Sequence, residues 1–266
     1  MAFQILGSSS SGNCALLRGE GGNCLIDAGF SGRRIEGLLA EAGLALEELN
    51  AVFLTHDHSD HIAGVRGLAR LPHLEFFANA GTAEAVQRGL SRKVRWRLFE
   101  SGQRFRFGGY EVQTVPLPHD AYDPVGFIFR SGGQDLFDPF RSVAWLTDLG
   151  YVPPGLAAHL ADVHVLVLEA NHDEALLDMD TKRPFSVKQR IRGRHGHLSN
   201  SAANQFLHAL QAPHLRRVFL AHLSRDCNSL ESVRTTFSDH SGRGYAVEII
   251  DPEGGPHTPL NLLDWS

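Results

Sequence analysis

The sequence predicts an α/β protein in which short buried strands alternate with helices. Two patterns carry this prediction: apolar runs bounded by polar residues, such as 51–53 and 163–168, and apolar residues at helical spacing, as in 35–42. A third observation is that several apolar runs end at a histidine, an aspartate or a glutamate. Strands and helices alternate to the C-terminus, so residues 1–266 are predicted to form a single domain.

The composition narrows the possible classes of function. With 42% hydrophobic residues the chain can bury a large core. Its net charge of −5 gives no overall signature of a nucleic-acid-binding protein, so any such surface must be local. Cys14, Cys24 and Cys227 form no CxxC pair and are interpreted as reduced thiols. We find neither a signal peptide nor a membrane-spanning run, and the cytoplasm is the expected location.

The first elements are predicted strands at 3–6, 15–17 and 24–27. A serine-rich loop, residues 7–13, joins the first two strands. Its hydroxyls and N–H groups could cradle a phosphate, but a tight polar turn needs no ligand and is the favoured interpretation. Asp27 ends the third strand, and we expect it to contact the ligands of a metal site rather than the metal itself.

A helix is predicted over 33–42, followed by the strand 51–53 and then by the residues that carry most of the chemistry. In an extended backbone alternate side chains share a face, so His56, His58 and Asp60 can converge. His61 begins a helical pattern that continues to residue 69 and turns its imidazole back to the same point. Imidazoles and a carboxylate together suit a divalent transition metal, and this is predicted to be a metal site.

The pattern of a strand ending at a possible ligand continues in the rest of the chain. A strand at 75–78 and a helix at 82–89 come first, followed by a basic stretch that is interpreted as a solvated face. The later runs 112–115, 143–147, 163–168 and 218–221 then lead to His119, Asp148, Glu169 and His222, respectively. Any one of them alone would be a polar residue capping a strand, but their recurrence indicates a shared site at the strand ends.

These residues are sufficient for two metal ions, because each ion needs about three protein ligands and the pair needs a bridging group. The proposed sets are His56, His58 and His119 for one ion, Asp60, His61 and His222 for the other, and Asp148 as the bridge. Zn²⁺ is the first expectation, with Mn²⁺ or Fe²⁺ next. Such a pair of cations activates water for attack on an electrophile.

Residues 56–61 match the HxHxDH signature of the metallo-β-lactamase superfamily, and Asp27, His119, Asp148 and His222 match its other motifs. Residues 7–14, 25–29, 147–151, 169–173 and 196–200 resemble, more narrowly, the YycJ (WalJ) family. The resemblance implies a four-layer αββα sandwich and a cytoplasmic DNA exonuclease that acts from a 5′ end. Residues 135–141 make a longer segment than the resemblance implies.

Glu169 and the segment 196–199 also resemble motifs of ribonuclease Z, where they form a proton relay beside the metals. By that likeness His197 contacts the scissile phosphate or protonates the leaving oxygen, and Glu169 orients His197. Asp60 would be a ligand that also orients the nucleophile.

The segment between Glu169 and His197 is rich in cations, which are Lys182, Arg183, Lys188, Arg190, Arg192 and Arg194. Because the segment joins two predicted catalytic residues, we expect its cations near the cleft, where they would bind a phosphate backbone.

The sequence therefore predicts a dinuclear-metal-dependent phosphodiester hydrolase, most specifically a 5′ DNA exonuclease. DNA and RNA, and single and double strands, stay open as substrates. The alternatives are a small cyclic-phosphate diesterase, a thioester or lactone hydrolase on the same metal site, and a non-catalytic DNA-binding or scaffold protein with a structural metal.

Overall fold

The computed structural model describes residues 1–133 and 140–264, in which the strands form two seven-stranded sheets. The first sheet contains β1 (Ala2–Ser9), β2 (Gly12–Arg18), β3 (Cys24–Ile26), β4 (Ala51–Phe53), β5 (Glu75–Ala78), β6 (Trp96–Leu98) and β14 (Leu260–Asn261). The second contains β7 (Arg104–Phe107), β8 (Tyr110–Pro116), β9 (Val125–Ser131), β10 (Arg141–Leu146), β11 (Val165–Glu169), β12 (Arg217–Ala221) and β13 (Ala246–Ile249). The segment 135–141 lies mainly outside the described residues.

The two sheets have similar topologies. The spatial order is β14-β1-β2-β3-β4-β5-β6 in the first and β13-β12-β11-β10-β9-β8-β7 in the second. In the first sheet β1, β2 and β3 pair antiparallel, and the pairs from β3 to β6 are parallel. In the second the pairs from β7 to β10 are antiparallel, and those from β10 to β13 are parallel. Each sheet therefore brings several carboxyl-terminal strand ends to one edge.

Helices cover the outer faces of the sheets. The described helices are α1 (Gly32–Glu41), α2 (Ser59–Ile62), α3 (Val65–Leu68), α4 (Ala80–Arg88), α5 (Leu156–His159), α6 (Glu174–Met179), α7 (Phe185–Arg192), α8 (Asn200–Ala209) and α9 (Leu230–Thr236). Apolar residues of α1, α3 and α4 pack on the first sheet, and those of α5, α8 and α9 pack on the second. The predicted four-layer αββα arrangement is confirmed. Among the described residues, none of the helices combines the length and hydrophobicity that crossing a bilayer requires.

The strands are apolar on both faces because both faces are covered. In β10, Val143 and Trp145 enter the core between the sheets, whereas Ala144 and Leu146 face the outer helices. This two-residue alternation converts a continuous apolar run into two buried surfaces.

Phe53 anchors the strand that leads to the metal motif. Its ring stacks on Phe77, with centroids 4.4 Å apart, and meets Phe129 edge-on at 5.0 Å. Since Phe53 ends β4, this packing between the sheets fixes the point from which the residues of the motif leave the sheet.

The helical pattern expected from His61 to residue 69 is divided in the structure. α2 ends at Ile62 and α3 begins at Val65. At the break, the Gly64 N–H donates to the Ala28 carbonyl at 2.8 Å, and a Cβ on Gly64 would lie 2.6 Å from the carbonyl oxygen of Phe30. The close approach of this loop leaves no room for a side chain at Gly64.

Candidate metal centre

The strand ends of both sheets bring all seven predicted ligands together. Ligand atoms of His56, His58 and His119 form one group within 4.8 Å of one another, and those of Asp60, His61 and His222 form a second group. Asp148 belongs to a third group with His56 and His61. The structure thus brings together the residues that the sequence proposed as two ligand sets and a bridge.

The first group combines a contiguous motif with a residue from the second sheet. His119 Nε2 lies 3.2 Å from His58 Nδ1. The Nε2 atom of His56 is buried and, within the described residues, has no hydrogen-bond partner. A buried nitrogen lone pair without a partner is costly unless a cation takes that position.

The second group is arranged around the carboxylate of Asp60. The Oδ2 atom of Asp60 lies 3.4 Å from His222 Nε2 and 3.5 Å from His61 Nε2. Both imidazoles are buried, whereas Asp60 is in part exposed to the cavity.

Asp148 lies between the two groups. Its Oδ1 atom is 3.6 Å from both His119 Nε2 and His222 Nε2. Its Oδ2 atom is 3.1 Å from His61 Nε2, and in the described part of the chain it has no hydrogen-bond partner. One carboxylate thus faces nitrogen atoms of both groups, which is the geometry that a bridging ligand requires.

The outer nitrogens of four histidines are held by acceptors behind the site. The pairs are His56 Nδ1 with Thr55 Oγ1 at 3.0 Å, His61 Nδ1 with Asp27 Oδ2 at 2.8 Å, His119 Nδ1 with the Gly196 carbonyl at 2.9 Å, and His222 Nδ1 with Glu169 Oε1 at 2.7 Å. The Thr55 hydroxyl donates to Asp27, so it can accept from His56. Each Nδ1 therefore carries the ring proton, which leaves the Nε2 lone pair directed inward, as in metal-binding histidines.

The inward-facing atoms are acceptors that face one another. His61 Nε2 and Asp148 Oδ2 approach to 3.1 Å, and a positive charge, either a proton or a metal ion, must lie between them. The donor set of imidazole nitrogens and carboxylate oxygens therefore fits a divalent transition metal.

The pKa shifts show the same concentration of negative charge. Burial raises the pKa of the Asp148 carboxyl, but the charges of His222 and His61 outweigh burial and hold it well below its usual range. Burial lowers the pKa of His222, whereas Asp148, Asp60 and Glu169 raise it to about 10. The carboxylates thus stay ionised at neutral pH and attract positive charge.

Three site residues have left-handed backbone conformations that non-glycine residues rarely adopt. The φ angles are 59° at Asp27, 62° at Asp148 and 56° at His222. Each residue follows the end of a strand by one or two positions. Such conformations cost free energy, about 1–3 kcal/mol each, and persist where surrounding contacts hold them, as at functional sites.

Glu169 and His197 form the predicted pair. Glu169 Oε1 lies 2.8 Å from His197 Nδ1 and also meets His222, while its Oε2 accepts the N–H groups of Leu149 and Leu198. Burial raises the pKa of Glu169, but His197 and His222 outweigh burial and bring it to about 2. A fully buried carboxylate thus fixes the ring of His197, which is in part exposed.

The site opens into a cavity of about 190 Å³. His58, Asp60, Asp148, His197 and His222 line its inner side, and Val187, Arg190 and Ile191 of α7 line its outer side. A larger cavity of about 730 Å³ lies at the amino-terminal ends of β12 and β13, and none of the predicted site residues lines it. The chemistry of the lining residues, rather than the volume, therefore identifies the site.

The cations between Glu169 and His197 mostly do not reach the cleft. Lys182 and Arg183 pair with Asp226, and Arg192 pairs with Asp178. Within the described chain, Arg190 is the only one of these cations that lines the cavity, where it pairs with Asp120. Of the six cations predicted to lie near the cleft, Arg190 is therefore the one that lines it in the described part of the chain.

Several residues of the site were not predicted. Thr55 and Asp120 lie beside predicted ligands, and their position directly before His56 and after His119 was a signal in the sequence. Gly196 and Asn13 belong to the segments 196–200 and 7–14 that resemble the family, but the sequence did not show that they contact His119 and His61, because these contacts join distant parts of the chain.

Two helix-covered sheets with a cluster of histidine and aspartate side chains at their common edge define a metal-binding αββα protein. A model of the Beta-lactamase superfamily domain matches residues 22–223. The chain is 32% identical to proteins named exodeoxyribonuclease YycJ of Bacillus anthracis and exodeoxyribonuclease WalJ of Streptococcus pneumoniae, over 98% of this chain and 97% of each relative. The chain therefore belongs to the beta-lactamase superfamily and, within it, to the YycJ/WalJ family.

Two further similarities are found, one in sequence and one in fold. A ribonuclease Z of Bradyrhizobium diazoefficiens is 29% identical over 63% of this chain and 61% of that protein. The structure of Zn²⁺-bound PqqB from Methylobacterium extorquens superposes with a TM-score of 0.72 at 17% identity, over 98% of this chain and all of that one. The predicted family, the fold and the class of metal-dependent hydrolase are confirmed.

Proposed function

We propose that this chain is a dinuclear-metal-dependent phosphodiester hydrolase that degrades DNA as an exonuclease from the 5′ end. The observation that carries the proposal is the position of Asp148 between two groups of inward-facing ligands, beside a cavity that His197 and Arg190 also line. The names of the relatives at 32% identity support DNA as the substrate.

The proposed ligands are His56, His58 and His119 for one ion, Asp60, His61 and His222 for the other, and Asp148 between them. Two divalent cations supply Lewis-acid charge to a phosphate oxygen and lower the pKa of water. Zn²⁺ suits this donor set best, and Mn²⁺ or Fe²⁺ comes next. We also propose that residues 1–266 act as one domain, since both sheets supply ligands. The proposed location is the cytoplasm.

The proton-transfer role falls to His197. Its Nδ1 is bonded to Glu169, which leaves Nε2 as the atom that can deliver a proton. Because the ring lines the cavity, Nε2 is available to protonate a leaving oxygen, and Glu169 keeps the ring oriented during that step. Asp60, which also lines the cavity, is placed to orient the attacking water.

Arg190 is the proposed contact for a substrate phosphate. Its guanidinium is bonded to Asp120, and the Asp120 carboxylate lies 3.5 Å from His119 Nε2. The arginine is thus fixed beside the first ligand group with most of its side chain exposed. A planar guanidinium held in this way suits bidentate binding of a phosphate.

The contribution of Arg190 can be measured against a neighbouring arginine. In R190Q we expect a higher KM for DNA and a salt dependence of binding that is weaker by about one counterion. R192Q is the matched control, because Arg192 pairs with Asp178 and is not among the cavity-lining residues. Equal KM values and salt slopes in the two variants would remove Arg190 from the phosphate site.

The main experiment is the digestion of end-labelled nucleic acids by the metal-loaded protein. Single- and double-stranded DNA and RNA, each labelled at either end, are compared with circular DNA and with DNA blocked at the 5′ end. We expect early release of a 5′ label from linear DNA, with circular and 5′-blocked DNA intact. Cleavage of cyclic phosphates, thioesters or lactones with all polynucleotides intact would instead favour the alternative activities.

A further inference from the structure

The serine-rich segment of the first hairpin extends into the interior of the protein. Ser8 and Ser9 belong to β1, Asn13 belongs to β2, and all three are buried. Ser10 and Ser11 form the exposed tip between the strands. A polar turn that served only to reverse the chain would not need a buried serine and a buried asparagine.

Ser8 connects this hairpin to the second sheet. The N–H of His222 donates to Ser8 Oγ at 3.0 Å, and the Ser8 hydroxyl donates to Asn13 Oδ1 at 2.7 Å. His222 has the left-handed φ of 56°, so this hydrogen bond holds a strained backbone position that also orients the imidazole.

The contact with Ser8 determines which way the Asn13 amide points. Since Oδ1 accepts from Ser8, the NH₂ group must lie on the other side. There, Nδ2 lies 3.0 Å from the Ser9 carbonyl, 3.1 Å from His61 Nε2 and 3.5 Å from Asp60 Oδ2. The amide therefore contacts the two members of the second ligand group that come from the first sheet.

The hairpin is held firmly in this position. The Asn13 carbonyl accepts the Gly29 N–H at 2.8 Å. A Cβ on Gly7 or Gly12 would lie 2.6 Å or 2.5 Å from the ring of Phe30, so the absence of a side chain at both positions lets the ring pack against the hairpin. Residues that orient metal ligands must themselves be held in place by packing and hydrogen bonds, as Ser8 and Asn13 are here.

We infer that Ser8 and Asn13 are positioning residues. They fix the position of His222, from the second sheet, relative to Asp60 and His61, from the first. Their hydrogen bonds run from the backbone N–H of His222 through Ser8 and Asn13 to the Asp60 carboxylate, and the same amide lies 3.1 Å from His61 Nε2, whose lone pair the proposed metal ion would take. The inference rests on the proposed metal site. It assigns to the serine-rich hairpin a role in setting the geometry of the second ligand group, rather than in binding phosphate.

The test is the affinity for each metal ion in S8A and N13A, measured by competition with a chromogenic chelator and by elemental analysis. Loss of a residue that supports metal ligands typically weakens binding 10- to 100-fold. We expect a loss of this size for one ion only, with the ion held by His56, His58 and His119 retained. S11A is the matched control, because Ser11 lies at the exposed tip of the same hairpin.

Thermal unfolding separates positioning from general stability. With a chelator present, S8A should unfold at a moderately lower temperature than the wild type, because the buried His222 N–H loses its acceptor, and the further stabilisation gained on adding Zn²⁺ should also be smaller. If N13A does not fold, S8A decides, because it removes a single oxygen atom. Wild-type affinity for both ions in S8A, or an equal fall of the unfolding temperature with and without Zn²⁺, would overturn the inference. A wild-type protein that binds no metal would refute the proposed site itself.

Discussion

The two sheets supply the proposed site in different ways. The first sheet contributes His56, His58, Asp60 and His61 from one strand–helix junction after β4. The second contributes single residues that follow separate strands, namely His119, Asp148 and His222. Local backbone geometry thus spaces the first set, whereas the pairing register of the sheet and two left-handed residues space the second. The same site therefore depends on short-range order on one side and long-range order on the other.

The supporting carboxylates differ in a corresponding way. Asp27 accepts from His61 and from Thr55, and it serves the first sheet's ligands. Glu169 accepts from His222 and from His197, and so it serves both a proposed ligand and the proposed proton donor. On the proposed assignment, the support in the second sheet would connect metal binding with proton transfer.

The largest loss of metal and activity is expected on replacing Asp148, which lies between the ligand groups. In D148A we expect loss of both ions and a fall of turnover to background, because Asp148 faces both ligand groups. In H119A one ion should be retained, since the residues of the second group stay in place. Elemental analysis after gel filtration gives the stoichiometry, and retention of two ions in D148A would contradict the bridging role.

Replacing His197 should lower the reaction rate without removing the metal ions. In H197A we expect both ions to be retained and kcat to fall by about 10²- to 10⁴-fold, the usual contribution of a general acid. H208A is a suitable control, because His208 is an exposed residue of α8 that does not line the cavity. Full activity in H197A would exclude the relay through Glu169.

The supporting carboxylates allow a more specific comparison. In D27N we expect metal affinity to fall by about 10- to 100-fold while kcat at saturating metal stays near that of the wild type. In E169Q both quantities should fall, because the single acceptor oxygen of a glutamine cannot serve both the two backbone N–H groups and the two imidazoles that the Glu169 carboxylate accepts. If saturating metal restores kcat in E169Q as it does in D27N, the proposed difference between the two sheets disappears.

The smallest effect is expected at the opposite end of the second sheet. His164 directly precedes β11, and burial together with the charge of Arg141 and neighbouring groups lowers its pKa to about 4. Because the folded state binds the proton less readily than the unfolded state, stability should decline as the pH falls from 6.5 towards 4, by on the order of 1 kcal/mol for this half-buried group.

Chemical denaturation of the wild type and H164Q in the presence of a chelator measures this effect apart from metal loss. The difference in unfolding free energy between the two proteins should depend on pH between 6.5 and 4 and should be constant above 6.5. A difference that does not change with pH would show that His164 does not titrate in this way.

The sequence-based predictions agree with the structure where an element depends on local spacing, and they fail where it depends on contacts between distant parts of the chain. The strand at 75–78 coincides with β5, and the helix at 33–42 lies within one residue of α1, because apolar spacing reports local burial. β9 was not predicted, although its run of Val125, Phe127, Ile128 and Phe129 is buried. The break between α2 and α3 was also missed, because it depends on a loop more than thirty residues earlier in the chain.

The amino-acid sequence by itself determined the residue types of the proposed ligands, the spacing of residues 56–61 and the α/β class, since these depend on side-chain chemistry and on the repeat of an extended or helical backbone. Only the tertiary structure decided that Arg190 reaches the cavity while Lys182, Arg183 and Arg192 pair elsewhere. It also decided that Ser8 and Asn13 join His222 to Asp60 and His61. These contacts connect parts of the chain that lie far apart in sequence, and packing of the two sheets is what brings them within hydrogen-bonding distance.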